Sequence, residues 1–478
     1  MYISKISIKN FKCIRGQLDV DFSVPDSSKG SGLNIFVGDN NTGKSTIFEA
    51  FDFVRNGTKK DINEIKNKQS DESECWVEVT FTGDIENVIE GYAQNNKKEL
   101  LKKLIFTKSD NFYFTIKRTA EDLKKIWIWN EENATFDEPS GIDGVVKALF
   151  DLDFIWADTN PEDISKFGAT NICGKLLTEI CKPFQSSDLF DEFRQSHSKV
   201  FNDEEQGLKS QLKQLSNEVE QICKSQFGDI GLEFHFEELS IEKFYSNVKI
   251  KIDDGVKTNM EEKGGGLQRA VALSLLQVYA NKIKNNPGNA INKPFYLFID
   301  EPEICLHPLA QFKLIESLLN LTSNSQIFIN THSPYIVKKS LVGNKNNFQI
   351  TKKDQNGKIV INKGESKRIF GNQSPTWGEI NYFAYNLPTI EFHNELYGFI
   401  QEKENCFRET DVEQYFINNQ IIKNKNWVKI LNGVQQPPYN VTLQTYIRNK
   451  IHHPENTLND DFTDVELRQS IDEMLVLV

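Results

Sequence analysis

The sequence predicts an α/β head carrying an antiparallel β-subdomain and a short helical arm, followed by a small all-α C-terminal domain. Three observations predict it. The apolar run "LNIFV" at 33–37 leads through "GDNNTGKST" into the helix-like "IFEAFDFV", giving strand, Gly-rich loop and helix in succession. A second apolar run, "FYLFID" at 295–300, ends on Asp300 and Glu301, a carboxylate pair that is costly to bury without a partner. Beyond about residue 370 the apolar positions recur at helical steps.

Taken in order, residues 2–8 alternate polar and apolar like a strand, and 33–37 form the second. From about 75 to 130, "CWVEVTF", "NFYFTIKR" and "IWIW" read as strands, interrupted by the charged helical stretch "IENVIEGYAQNNKKELLKKL". Between 160 and 230 the pattern is helical, with Leu208, Leu212, Leu215, Val219 and Ile222 at three- and four-residue steps, an arm too short for a long coiled coil. Strands resume at "LEFHFEEL" and "NVKIKIDDG", then come the helix "GGGLQRAVALSLLQVYANKI", the "FYLFID" strand, another helix and the strand in "QIFINTHSP". Asn356-Gly357 lies between two alternating runs and predicts a hairpin. These readings divide the chain into a head over 1–345, with an insertion over about 75–255, a hairpin and linker over 346–369, and a helical domain over 370–478. Thr463 and Glu466 form a capping box before the last helix.

Composition narrows the function classes. The chain has 478 residues, 38% hydrophobic and 26% charged, enough for more than one core. No stretch approaches 18 uninterrupted apolar residues, and the N-terminus lacks the apolar block of a signal peptide, so a cytoplasmic location without membrane contact is expected. The net charge of −12 argues against a uniformly basic nucleic-acid coat, so contact with DNA or RNA requires a local patch. Seven cysteines, with no Cys-x-x-Cys pair, suggest neither a disulfide framework nor a zinc site.

"GDNNTGKST" fits the P-loop pattern. Its glycines let successive backbone N–H groups converge on a triphosphate, Lys44 supplies a cation, and Ser45 binds Mg²⁺. Gly38, Asn40, Asn41, Gly43, Lys44, Ser45 and Thr46 are the candidate ATP-binding residues. A P-loop requires an acid at the end of another apolar strand, which is Asp300, the second candidate Mg²⁺ ligand with Ser45. Glu301, one residue on, is placed to polarise the attacking water as general base.

Four motifs in order, "GDNNTGKST", "KGGGLQR", "LFIDEPEICLHP" and "NTHSP", resemble the ABC-type ATPases of the RecF, OLD (overcoming lysogenisation defect) and chromosome-maintenance kind over residues 1 to about 340. The resemblance implies that His332 senses the γ-phosphate and that Gly264, Gly266 and Gln268 belong to a signature loop. It also implies that ATP is sandwiched between two heads, so that the chain forms a homodimer or a higher even-numbered oligomer. Two departures stand out: Gly264 occupies the place of the usual signature serine, and no glutamine marks the Q-loop. Gln69 is a poor candidate, and 158–163 contains none.

The C-terminal region lacks the clustered acids of the metal-dependent nuclease domain that OLD proteins carry. Its "YIRNKIHHPEN" instead resembles the Arg-x4-6-His motif of HEPN ribonucleases, with Arg448 on the scissile phosphate and His453 moving protons while the RNA 2′-OH attacks, without metal. His452 is the nearer-spaced alternative, and Glu391, His393 and Glu395 are candidate additions to this site. Resemblance to anticodon-nuclease toxins implies an RNA substrate such as tRNA, a role in anti-phage defence, and a phage protein or nucleic acid as trigger. The alternative is a sensor or scaffold ATPase whose helical tail docks a separate effector or regulator protein.

Overall fold

The computed structural model describes residues 1–57, 61–160, 172–203, 205–227, 231–232, 248–284, 293–341, 346–363 and 369–478. Two units form: one from 1–157 and 288–478, the other from 158–287.

The first unit holds two large sheets. β1 (Tyr2–Lys9) and β2 (Gln17–Asp21) pair antiparallel, and β3 (Leu33–Gly38) then leaves for the second sheet. β4 (Trp76–Thr82), β5 (Phe106–Lys108), β6 (Asn111–Thr119), β7 (Trp127–Asn130) and β8 (Thr135–Asp137) complete the antiparallel sheet in the order β2-β1-β4-β6-β7-β8, with β5 on β6. β4 alternates buried and half-exposed residues, as a strand covered on one face must.

The second sheet continues with β9 (Asp151–Ile155). Beyond the other unit it takes in β12 (Phe295–Asp300), β13 (Gln326–Asn330), β14 (Asn347–Lys353) and β15 (Ile359–Lys363), in the order β15-β14-β3-β13-β12-β9. All neighbours are parallel except β14 with β15. Every residue of β3 and β13 is buried, because both sheet faces are covered. Helix α1 (Lys44–Asn56) contacts both sheets, setting Phe48 edge-on and Phe51 tilted against Phe298 with ring centroids 5.1 and 4.9 Å apart.

The hairpin around Asn356-Gly357 forms, but it is no linker. β14 pairs with β3 along the strand that feeds the Gly-rich loop, so 347–363 is structurally part of the head sheet.

In the second unit, helices α2 (Ile172–Gln185), α3 (Asp188–Asn202) and α4 (Leu208–Phe227) make the arm. The short pair β10 (Lys251–Asp253) and β11 (Lys257–Asn259) and the helix α5 (Gly265–Lys284) follow, with α5 packed on α2. The predicted strand "LEFHFEEL" lies almost wholly outside the described residues.

The C-terminal part of the first unit starts from a helical turn, Trp377–Glu379, that continues as a π-helical turn, Ile380–Ala384. Beyond the head helices α6 (Pro308–Leu321) and α7 (Pro334–Leu341), the tail supplies α8 (Ile390–Lys403), α9 (Glu409–Asn418), α10 (Leu443–His452) and α11 (Asp464–Leu475). Phe392, Leu396, Val412, Phe416, Ile447 and Ile471 fill their common core. The predicted capping box closes α11, with Thr463 accepting from the Glu466 N–H and Glu466 accepting in return. Two short strand pairs interrupt the helices: β16 (Lys425–Trp427) with β19 (Tyr439–Val441), and β17 (Ile430–Leu431) with β18 (Val434–Gln435).

Candidate functional site

The nucleotide loop is shaped where β3 ends. Gly38 has φ +146, and a Cβ there would stand 2.1 Å from the Thr351 carbonyl oxygen, so only glycine fits. Gly43, at φ +85, caps α1, and a Cβ there would meet Ile359 at 2.7 Å. Both close neighbours come from the hairpin. Thr42 reinforces the arrangement, its hydroxyl donating to the Asp39 carbonyl at 2.7 Å and lying 2.7 Å from that of Thr351. The Lys44 ammonium donates to the carbonyls of Gly38 and Asp39, both at 2.9 Å, inside the loop. Burial lowers its pKa, and Glu301 and Asp300 oppose that shift.

Parallel pairing brings β3, β13 and β12 to a common carboxyl-terminal edge, where ligands of open α/β sheets bind. There the Ser45 hydroxyl donates to Asp300 Oδ2 at 2.9 Å, while Asn330 Nδ2 donates to Asp300 Oδ1 at 3.0 Å. The oxygens of Ser45 and Asp300 are hard donors, and Asn330 Oδ1 is buried without a partner among the described residues. This donor set fits a hydrated magnesium ion shared with phosphates. No cluster of three or more His, Cys, Asp or Glu able to cage a metal occurs among the described residues.

Glu301 adopts φ +48, an uncommon conformation for a residue with a side chain, and its N–H donates to the Asn330 carbonyl at 2.9 Å. Its Oε1 lies 3.7 Å from His332 Nε2. Burial, then the charge of Lys44, lowers the His332 pKa, so the ring is neutral near pH 7. Glu303 grips the histidine's backbone: His332 N–H donates to Oε1 at 2.6 Å and the Thr331 hydroxyl to Oε2 at 2.9 Å. Ser333 donates to Gln311 Oε1 at 2.5 Å, anchoring the next residue.

The structure thus brings together Lys44, Ser45, Asp300, Glu301 and His332. Sequence reasoning missed Asn330 and Glu303. Asn330 stands directly before "THSP", and Glu303 follows the carboxylate pair, so both lay inside quoted motifs.

Gln69, the poor Q-loop candidate, is exposed in a loop where its backbone N–H donates to Asn67 Oδ1. β9 runs beside β12 with Ile155 opposite Ile299, and the next residue is Trp156, stacked on Phe154 at 5.3 Å. In the second unit Gly264 precedes α5, and Gln268 Nε2 donates to the carbonyls of Lys263 at 2.8 Å and Glu261 at 3.2 Å. Among the described residues a Cβ on Gly264 or Gly265 would meet nothing within 4 Å, and Gly266 follows in the first turn.

In the tail, Arg448 Nη1 donates to Asn449 Oδ1 at 2.9 Å, Asn449 Nδ2 to Glu409 Oε2 at 3.1 Å, and the Tyr439 hydroxyl to Glu409 Oε1 at 2.8 Å. α10 ends at His452, whose pKa is lowered by burial and then by the Arg448 charge. His453 is exposed just past the helix, with Nδ1 3.3 Å from Glu455. His393 is excluded from this cluster. It is fully buried in the helical core, 3.0 Å from the Ser470 hydroxyl, and burial drives its pKa down to about 3. Glu395 instead accepts from Thr376 at 2.5 Å, and Glu391 is exposed. Among the described residues no helix is long and apolar enough to cross a membrane.

Comparison with known proteins bears on the head. Residues 1–143 and 84–337 match the AAA ATPase domain. The Old nuclease of Escherichia phage P2 is 24% identical over 374 residues, covering 75% of this chain and 60% of that protein. Endonuclease GajA of Bacillus cereus (strain VD045) is 24% identical over 365 residues, covering 70% and 56%. The chain therefore spans less than two thirds of the length of these relatives. Among solved structures, an SMC head bound to the C-winged helix domain of ScpA superposes with a TM-score of 0.45 at 15% identity, over 76% of this chain and 99% of that one. The SMC head domain from Thermotoga maritima gives 0.38 at 13%, over 76% and 100%. With a matching region that takes in the Gly-rich loop, the Asp300 strand and His332, the chain belongs to the AAA ATPase domain family.

Proposed function

We propose that the chain binds and hydrolyses ATP between the heads of two copies and uses that cycle to control its helical tail. The observation that carries this reading is the meeting of Lys44, Ser45, Asp300, Glu301 and His332 at one sheet edge. Lys44 leaves its loop carbonyls for the phosphates, Ser45 and Asp300 hold magnesium, Asn330 orients Asp300, and Glu301 takes the proton of the attacking water. Magnesium supplies charge neutralisation between the phosphates. Neutral His332 donates a hydrogen bond toward the γ-phosphate from a backbone fixed by Glu303. The open space over Gly264 and Gly265 suits close approach of a second head's nucleotide, met by backbone N–H groups at the start of α5.

For the tail, the chain of contacts from Tyr439 through Glu409 and Asn449 to Arg448 supports a metal-independent ribonuclease site. Arg448 holds the scissile phosphate, and His453, or His452 one turn from Arg448, moves the proton. A defence role with RNA, such as tRNA, as substrate is part of this proposal. The exposed apolar hairpin residues Ile430, Leu431 and Val434 favour a second reading, in which the tail docks a separate effector. The relatives named as nucleases make nucleic-acid cleavage the shared theme of both.

Light scattering with ATP and Mg²⁺ tests the head: Glu301→Gln should accumulate as a dimer, and Lys44→Ala should not bind ATP. Equal association of the two variants overturns the sandwich. Degradation of RNA by the purified chain in EDTA separates the ribonuclease from the docking tail.

A further inference from the structure

β3 delivers the Gly-rich loop between β13 on one side and β14 on the other. Asp300, Glu301 and His332 all follow β12 and β13, so they occupy one flank of the loop. A triphosphate with its γ end among those groups crosses the start of α1 and carries its α end toward β14 and β15. Two segments meet on that second flank. The turn 10–16 between β1 and β2 is closed by Asn10, whose N–H donates to the Gly16 carbonyl at 3.0 Å and whose side-chain oxygen accepts the Gly16 N–H at 2.8 Å. Cys13 Sγ lies 3.1 Å from Thr46 Oγ1, which holds this turn against the first turn of α1.

The second segment is the tip of the β14–β15 hairpin. Asp354 Oδ1 accepts the N–H groups of Asn356 at 2.9 Å and Lys358 at 2.8 Å, and Ile359 stands against Gly43. Lys358 is half-buried across the two segments: a Cβ on Gly16, which has φ +71, would stand 3.3 Å from its Nζ and 3.4 Å from its Cε. Among the described residues no carboxylate pairs with this ammonium. Of the cations in the turn itself, Lys12 is paired with Glu49 and Arg15 is exposed. A partly desolvated ammonium without a counter-charge is costly, and an arriving anion removes that cost.

We infer that Lys358 is a second cation of the nucleotide site, donating to the α-phosphate while Lys44 serves the β- and γ-phosphates. The hairpin then supplies a ligand as well as a wall, and the nucleoside end is gripped from outside the Gly-rich loop. ATP and ADP share the α-phosphate, so Lys358 sets the affinity for both and takes no part in the attack on the γ-phosphate. This inference rests on the ATP-binding reading and is independent of what the tail does.

The test is nucleotide binding by the full chain carrying Lys358→Met, which keeps an unbranched stem against Gly16 and removes the charge. Affinity for ATP and for ADP should each fall by about tenfold, the low end for a hydrogen bond to a charged group. In steady-state hydrolysis the loss should appear in KM rather than in kcat. Pyrophosphate fills only the β and γ places, so its affinity should stay within about twofold of the parent value. Lys358→Arg, which keeps the charge, should bind ATP within about threefold of the parent. A merely structural lysine gives a different pattern, because a disturbed hairpin would loosen the Gly-rich loop and weaken pyrophosphate together with ATP. That joint loss, equal weakening by the methionine and arginine variants, or unchanged ATP affinity in Lys358→Met overturns the α-phosphate contact alone. Failure of the parent to bind ATP overturns the nucleotide reading and the contact with it.

Discussion

Replacing Asn330 by alanine tests how Asp300, the carboxylate proposed to face magnesium, is held. Asn330 is fully buried, and its amide donates at 3.0 Å to Asp300 Oδ1 while Ser45 occupies Oδ2. The backbone bond from Glu301 N–H to the Asn330 carbonyl is untouched by the change. A hydrogen bond to a charged group contributes about 1.5–3 kcal/mol. At about 1.4 kcal/mol per decade this corresponds to roughly a 10- to 100-fold effect, the range seen when residues behind a metal ligand are removed. The loss should appear as weakened Mg²⁺ dependence, because Asp300 keeps its position in the strand but loses its orientation. The assay is steady-state ATP hydrolysis titrated with Mg²⁺, with a thermal melt to confirm folding. A half-saturating Mg²⁺ concentration and a maximal rate both within about twofold of the parent would refute the assignment of Asn330 as the residue that orients Asp300.

Gly38→Ala should abolish ATP binding and lower the unfolding midpoint, since backbone strain at φ +146 and the clash with Thr351 together cost about 3 kcal/mol or more; equilibrium urea unfolding and nucleotide titration measure both. Arg448→Ala and His453→Ala should each remove RNA cleavage with little further loss in the double variant, while ATP turnover stays near the parent value. Cleavage retained in His453→Ala alone and lost on adding His452→Ala would move the proton-transfer role one residue back, whereas cleavage retained in the Arg448→Ala/His453→Ala variant would favour the docking tail. His393 has a folded pKa of about 3 against an ordinary 6.5, so below pH 6.5 the unfolded chain takes up a proton that the folded chain refuses. Stability should fall by up to about 1.4 kcal/mol per pH unit from pH 6.5 toward 3, and His393→Gln should flatten that part of the melting profile.

The nucleotide machinery was legible because its information is local. A buried strand, a Gly-rich loop and a carboxylate pair each occupy a few consecutive residues, and their chemistry restricts which partners they can have. Glu303 was not legible, since its grip on His332 exists only because parallel pairing sets Asp300 beside Asn330. The role of the hairpin was hidden for a similar reason. An alternating run such as "FQITKK" reads the same in a free hairpin or a core sheet, and its place is settled by partners such as Asn347 and Gln349, which both donate to the Asp21 carbonyl. His393 misled because an acid on either side suggested a polar site. Its steps to Tyr397 and Ile400 instead put it on the apolar face of α8.

The neighbours that shape the Gly-rich loop are supplied very late in the chain. Thr351 donates to the Val37 carbonyl across 314 residues, and Ile359 stands against Gly43. During translation at about 5–20 residues per second, Val37 waits on the order of 15–60 s for that partner. A ribosome-bound chain that has emerged only through His332 still lacks one wall of its Gly-rich loop. Newborn chains are therefore expected to gain nucleotide affinity only as β14 and β15 emerge, and a head fragment ended at 345 should fail to bind ATP while one ended beyond 363 succeeds.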